Sequence, residues 1–242
     1  MAKRDTFKIV SNLKIAPDVF AMKLLGDTSA IKNPGEFVNI SIPGKFLQRP
    51  ISVSNWDDES LDIIYKVVGG GTEILSKMKE NDELTLLTGL GNGFDLTVDT
   101  KKPVLIGGGL GEAPLYKLAI ELKKLGKSPK IIIGFRTEED VFFFKEFVKL
   151  FPTYITVDSR GELVTDILQN LGPDGYDYFY ACGPKPMLKA ICDMALTDGE
   201  VSMETRMACG IGQCKCCSIE TNDGMKTLCK DGPVLKKGQV RW

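Results

Sequence analysis

Near Lys101 the hydrophobic pattern of this chain changes its period, so the chain cannot be one uniform sheet or one helical bundle. Before that point apolar residues fall in short runs bounded by Pro, Gly, Asn and Asp. The runs are Phe7–Val10, Phe20–Leu25, Phe37–Ile42, Ile51–Ser54, Leu61–Val68 and Glu83–Leu87. Several alternate apolar and polar residues, as half-buried strands do. Six short strands with close turns predict a small antiparallel β-barrel, with a brief helix over Thr72–Lys79.

After Lys101, strand-like and helix-like runs alternate. PVLIGGG and Lys130–Phe135 read as buried strands, and Ala113–Leu125 and Glu138–Leu150 as helices. Tyr154–Val157, Leu163–Leu171, Tyr176–Gly183 and Pro186–Leu196 continue the alternation. Repeats of this kind predict a parallel sheet covered on both faces, an α/β domain. The tail is polar, rich in Cys and Gly, and short of a core of its own, so it needs a staple. The expected division is a barrel over 1–99, an α/β domain over 100–200 and a small subdomain over 201–242.

Composition narrows the chemistry. A net charge of −1 gives no reason to expect nucleic-acid binding. No apolar run approaches the roughly 18 residues of a membrane span. The opening MAKRDTFKIV has no apolar signal core, so a cytoplasmic location is expected. The chain has no histidine, which excludes a Ser-His-Asp triad, a Rieske centre and most catalytic zinc sites.

Five of the seven cysteines crowd into Cys209–Cys229, which favours metal ligation over a disulfide framework. Cys209, Cys214 and Cys217 stand in the order C-x4-C-x2-C, and Cys229 follows after eleven intervening residues. That is the spacing of plant-type [2Fe–2S] sites, in which one tight loop supplies three thiolates and a fourth arrives from elsewhere. Choosing Cys216 would give C-x-C, so it is read as a non-ligand. A structural four-cysteine zinc site is the alternative, although zinc ribbons prefer two separated C-x2-C pairs.

Three further motifs carry chemistry. GGGLGEAP follows a buried strand and opens a helix, and Gly107, Gly108, Gly109 and Gly111 let backbone amides approach a diphosphate. ACGPKPM places Cys182, Gly183 and Pro184 at another strand end, where two parallel strands can flank one crevice. In RPIS, Arg49 can pair with a phosphate, Pro50 fixes the turn before Ile51, and Ser52 can hydrogen-bond a flavin ring. Ile64, Tyr65 and Lys66 follow, and then Gly71 and Thr72 begin a helix whose amides suit a pyrophosphate.

Taken in order, RPIS, YK…GGT, GGGLGEAP and CGPKPM resemble the ferredoxin–NADP reductase superfamily. SMETRMACGIGQCKCC…CKDGPV and GFRTEEDVFFFKEF are similar to the electron-transfer subunits of class 1B dihydroorotate dehydrogenase. The resemblance runs from Phe7 to the end. It implies FAD in the barrel, NAD in the parallel domain and a [2Fe–2S] cluster on Cys209, Cys214, Cys217 and Cys229. It also implies a partner, an FMN-containing dihydroorotate dehydrogenase catalytic subunit, in a heterotetramer of two of each. Electrons would pass from dihydroorotate through the cluster and FAD to NAD⁺, in pyrimidine biosynthesis. On the same ground the dihydroorotate site belongs to the partner, and no catalytic acid–base residue is expected here. A neighbouring reading keeps the cofactors and changes the partner, as in sulfide dehydrogenase or NADH-dependent ferredoxin reductases. Arg136 could meet a 2′-phosphate, so the residues leave NAD and NADP open, while the resemblance says NAD.

Overall fold

The computed structural model describes residues 2–242. Six strands close a barrel: β1 (Lys3–Ala16), β2 (Val19–Leu25), β3 (Phe37–Ile40), β4 (Arg49–Trp56), β5 (Ser60–Lys66) and β6 (Glu83–Leu90). All neighbours are antiparallel, in the order β1-β2-β5-β4-β3-β6. Strand β1 is long enough to pair with both β2 and β6, and register shifts at Ile9/Ser11 and Lys14/Ala16 let it bend. Its inward residues Phe7 and Ile9 are fully buried with Met22, Leu24, Leu61 and Ile63. Helix α1 (Gly70–Lys77) joins this core through Leu75. The Asn12 amide donates to the carbonyls of Leu75 (2.9 Å) and Met78 (3.0 Å), satisfying the end of α1.

The second half is built on β7 (Pro103–Gly108), α2 (Glu112–Lys124), β8 (Lys130–Phe135), α3 (Phe144–Val148) and β9 (Thr153–Val157). It continues with α4 (Val164–Leu171), β10 (Tyr178–Cys182), α5 (Lys185–Met194) and β11 (Gly199–Ser202). In the tail come a hairpin of β12 (Ser218–Thr221) and β13 (Gly224–Thr227), then α6 (Leu228–Asp231) and β14 (Val234–Lys236). The sheet runs β14-β11-β10-β7-β8-β9, parallel throughout except that β14 lies antiparallel to β11. All six residues of β7 are buried, because helices cover both faces. Leu105, Ile131 and Ile133 pack on the α2 side, and Val104, Ile106 and Ile132 on the α4 and α5 side.

One sequence expectation changes here. The helix expected over Glu138–Leu150 is only a 3₁₀ turn at Glu138–Asp140 followed by the five-residue α3. Phe143 breaks the run in a left-handed conformation (φ 53°). The aromatic run is used for packing instead: Phe142 meets Phe135 edge-on at 5.5 Å, and Phe143 meets Tyr116 at 5.2 Å. The tail also packs into larger layers. Strand β14 extends the sheet, and Cys217, Leu228 and Cys229 share one core with Phe37 and Leu90 of the barrel.

Lys117 pins α2 to β4. Its ammonium donates to the Trp56 carbonyl (2.7 Å), lies 4.5 Å from the centre of the Trp56 ring and reaches Glu121 at 3.2 Å. A buried lysine needs such partners, since leaving the charge unpaired would be costly.

Candidate functional site

Segments of the barrel and of the sheet meet at one cleft of about 600 Å³, a size that suits a cofactor. The barrel contributes the start of β4 and the end of β5. The sheet contributes the loops that follow β7 and β10, two neighbouring parallel strands in register at Gly107 and Cys182. Strand order reverses there, since β8 lies on one side of β7 and β10 on the other. Ligands in open α/β sheets bind at such a switch point.

Arg49, Pro50, Ile51 and Ser52 all line the cleft, and so do Ile64, Tyr65, Lys66 and Thr72. Tyr65 is fully buried and its hydroxyl already donates to Asn12 (2.9 Å), with its ring stacked on Phe20 at 5.7 Å. Burial pushes its phenol up to about 12, so it stays neutral. Gly71 lies beside the cleft, under the Arg49 guanidinium: a Cβ there would stand 2.5 Å from Nε. Arg49 donates to the carbonyls of Leu47 (2.7 Å) and Gln48 (3.2 Å), which folds it against the start of α1. The amides of Gly70, Gly71 and Thr72 precede the first helical bond, from Glu73 N–H to Gly69 O at 2.9 Å. The Thr72 hydroxyl takes the Val68 amide (2.9 Å) and donates to the Gly69 carbonyl (3.0 Å). A guanidinium beside free helix-start amides is a fit for a pyrophosphate.

Gly108, Gly109, Gly111, Cys182, Gly183 and Pro184 line the other wall. The two loops touch backbone to backbone: a Cβ on Gly111 would lie 2.2 Å from the Cys182 carbonyl oxygen. Gly107 sits behind this wall, where a Cβ would meet the Glu112 backbone at 3.0 Å. Burial pushes the Cys182 thiol up to about 12, against a hydrogen bond with Ser202, so it is no thiolate nucleophile. Glu112 is fully buried and neither of its carboxyl oxygens has a partner. Burial raises its pKa well above the usual carboxylate range, with the Glu146 charge adding to the effect. A smaller recess of about 130 Å³ continues past Gly109 and Leu110 to Phe135, Arg136 and Asp140.

The sequence reading did not pick out Phe37, Glu204, Thr205, Met207 or Pro233, which also line the main cleft. Glu204 to Met207 connect β11 to Cys209, so the chain leaves the cleft two residues before the first cysteine of the tail motif. The signal available was the stretch METRM directly ahead of the cysteines.

In the tail, the cysteines hold one another through backbone amides. The Gly212 amide donates to Cys229 Sγ (3.0 Å), Cys214 N–H to Cys209 Sγ (3.4 Å) and Cys229 N–H to Cys217 Sγ (3.4 Å). Cys217 and Cys229 are buried with their sulfurs 3.2 Å apart, whereas Cys214 is exposed. Cys216 is different. Its amide donates to Cys214 Sγ (3.5 Å), but its own thiol turns to the Arg206 carbonyl (3.7 Å). Lys215 adopts a left-handed conformation (φ 55°), which separates the Cys214 and Cys216 side chains. Burial works to raise the Cys209 pKa, yet the amides of Cys214, Ile211 and Gln213 bring it down to about 7. Burial and the Cys217 thiol push Cys229 up to about 12. A thiol held that high, as at Cys229, needs a nearby cation to become a thiolate, and donor amides aimed at sulfur suit an iron–sulfur site. Among the described residues no three potential ligands surround a single-ion position.

Asn39 adds an unexpected polar group to this region. It is 1% exposed, and neither its amide nitrogen nor its amide oxygen has a partner. A buried unpaired polar group costs about 1–3 kcal/mol.

The chain matches known proteins along its whole length. Residues 204–241 match the family described as the iron-sulfur cluster binding domain of dihydroorotate dehydrogenase B. A dihydroorotate dehydrogenase B (NAD(+)), electron transfer subunit from Fusobacterium nucleatum subsp. nucleatum is 39% identical, covering 98% of each chain. The subunit of that name from Listeria monocytogenes serovar 1/2a is 37% identical over 97% of each chain. Among solved structures, that of an NADH-dependent reduced ferredoxin-NADP oxidoreductase superposes with a TM-score of 0.88. It is 30% identical and covers 98% of this chain and 90% of that one. A Neisseria gonorrhoeae ferredoxin NADP+ reductase with bound FAD and NADP shares the fold at a TM-score of 0.67 and 20% identity, over 81% of this chain and 93% of that one.

Proposed function

The chain belongs to the family of dihydroorotate dehydrogenase B (NAD(+)) electron transfer subunits, and from that premise we propose how its residues divide the work. It is an oxidoreductase subunit that serves a catalytic partner subunit. FAD, a [2Fe–2S] cluster and NAD are its cofactors, consistent with the matched iron–sulfur domain and the shared reductase fold. When bound, the cluster would supply one-electron chemistry and FAD would couple it to the two-electron chemistry of NAD⁺.

The observation that carries the assignment is the junction of the cleft and the cysteine loop. The chain lines the cleft as far as Met207 and then enters the loop at Cys209. Cys209, Cys214, Cys217 and Cys229 are the cluster ligands, and Cys216 is left out because its thiol turns away. Arg49 and the first amides of α1 would hold the FAD pyrophosphate, and Ser52 and Lys66, which line the same cleft, would contact the flavin. Gly108 to Gly111 and Cys182 to Pro184 would form the wall that receives the nicotinamide dinucleotide. The exposed side of the loop, at Cys214, is the face offered to the partner.

The domain boundaries follow the same division: FAD on 1–99, NAD on 100–200 and the cluster on 201–242, with β14 returning to the sheet edge. The partner is the FMN-containing, dihydroorotate-oxidising subunit, in a complex of two copies of each chain. No helix among the described residues is long and apolar enough to cross a membrane, and a cytoplasmic complex fits that observation.

Anaerobic purification of the tagged chain with its bound partner tests this reading. The expected preparation contains FAD, iron and inorganic sulfide, and reduces NAD⁺ when given dihydroorotate. A complex inert with dihydroorotate but active with ferredoxin would move the chain toward the ferredoxin-linked relative, which the TM-score of 0.88 makes the specific competitor.

A further inference from the structure

Strand β3 reads Phe37-Val38-Asn39-Ile40, and all four residues are buried. Asn39 is its one polar side chain. It stands beside Pro50 of the adjacent strand β4, which lines the cleft, and beside Leu87 of β6 on its other side. Its amide points out of the barrel toward the cysteine loop: a Cβ built on Gly210 would stand 2.8 Å from Asn39 Nδ2, with Leu90 next at 3.4 Å. Gly210 lies between Cys209 and Cys214, at a φ of +72°. This end of the barrel is continuous with the tail, since Phe37 and Leu90 pack in one core with Cys217 and Cys229.

An amide buried this completely with both ends unpaired calls for a partner. The acceptors concentrated on this side are the cysteine sulfurs, which already draw in the amides of Gly212, Cys214, Cys216 and Cys229. All of those donors are backbone. The end of the Asn39 amide nearest the loop is Nδ2, so the NH₂ group is the one turned toward the cysteine segment.

We infer that Asn39 is a positioning residue that donates a side-chain hydrogen bond to the sulfur of the iron–sulfur centre and raises its reduction potential. The inference rests on the cysteine-ligand reading above. Reduction adds negative charge to the centre, and a donor aimed at sulfur stabilises that charge, as hydrogen bonds to cluster sulfurs do generally. Because Asn39 sits on the strand beside Pro50, it joins the wall of the flavin cleft to the cysteine loop. The structure thus sets the driving force between the two redox groups from the barrel side.

The test uses the loaded full-length protein. Iron and sulfide are assayed first, and the midpoint potential of the centre is then measured by EPR-monitored titration in wild type, Asn39→Leu and Asn39→Ala. Both variants lack the donor and should titrate lower, by about a tenfold shift in the one-electron equilibrium, or about 59 mV. Wild type labelled with ¹⁵N at asparagine side-chain amides should show nitrogen coupling to the reduced centre by pulsed EPR. Loaded variants with the wild-type potential overturn this inference alone. So does labelled wild type without coupling, which decides the matter if the variants fail to load. Wild type without iron overturns the cysteine reading and this inference together.

Discussion

Replacing Gly111 with alanine puts a methyl group where two loops already touch. The new Cβ would lie 2.2 Å from the Cys182 carbonyl oxygen, 2.4 Å from its carbon and 2.6 Å from the Gly183 nitrogen. Carbon atoms rest at about 3.5 Å or more, so the loops after β7 and β10 must separate by about 1 Å. All three atoms are backbone, and no side chain can rotate out of the way. Gly111 has φ −64° and ψ −14°, which alanine adopts freely, so the whole effect is steric. Overpacking of this kind costs about 1–3 kcal/mol. The separation opens the wall against which the dinucleotide lies, and every 1.4 kcal/mol lost in binding is about tenfold in affinity. Gly111→Ala should therefore raise KM for NADH roughly tenfold to a hundredfold, with FAD and iron content unchanged. The assay is anaerobic reduction of bound flavin by NADH, followed by its absorbance. Gly126→Ala, away from the cleft, is the control. Its Cβ meets nothing within 4 Å, so only the left-handed backbone (φ +71°) is strained, at about 1–2 kcal/mol. A Gly111→Ala protein with wild-type KM would refute the steric argument.

Glu112→Gln tests the buried acid. The folded state holds this carboxyl protonated above the ordinary value of 4.5, so wild-type stability falls as pH rises from 4.5 toward the raised folded value. The glutamine variant should gain on wild type across that window, by up to about 1.4 kcal/mol per pH unit, and thermal melts that stay parallel from pH 4 to pH 8 would contradict it. Cys216→Ser should keep the wild-type iron content and EPR spectrum. Cys214→Ser should alter both and stop transfer to the partner, while NADH still reduces the flavin; a collapse of both activities together would argue against the assigned order. Arg49→Ala should weaken FAD binding roughly tenfold to a hundredfold, as expected for about 1.5–3 kcal/mol of charge-assisted hydrogen bonding, measured by flavin retention during gel filtration.

Much of the architecture was legible without coordinates because it is written in local periodicity. Lys130–Phe135 is a strand from end to end, as its unbroken apolar run implies, and the change near Lys101 does separate the barrel from the sheet. The cysteine spacing also speaks for itself, since a loop of fixed length can bring only certain sulfurs together. The failures share one cause. Glu138–Leu150 has the spacing of a helix, yet its three consecutive phenylalanines, Phe142 to Phe144, are taken up by packing against α2 and β8, and only Phe144–Val148 remains helical. Strand β14 is three residues long and exists because β11 offers an edge. Glu204, Met207 and Pro233 join the cleft because the tail folds back across it. Asn39 is an ordinary strand residue in the sequence, and only the approach of Gly210, 171 positions away (210 − 39), gives its amide a purpose. Periodicity and spacing act between neighbours along the chain, so the sequence alone determined the elements and the candidate ligands. Which distant segments press on those elements depends on how layers close over a shared core, and that only the tertiary structure decided.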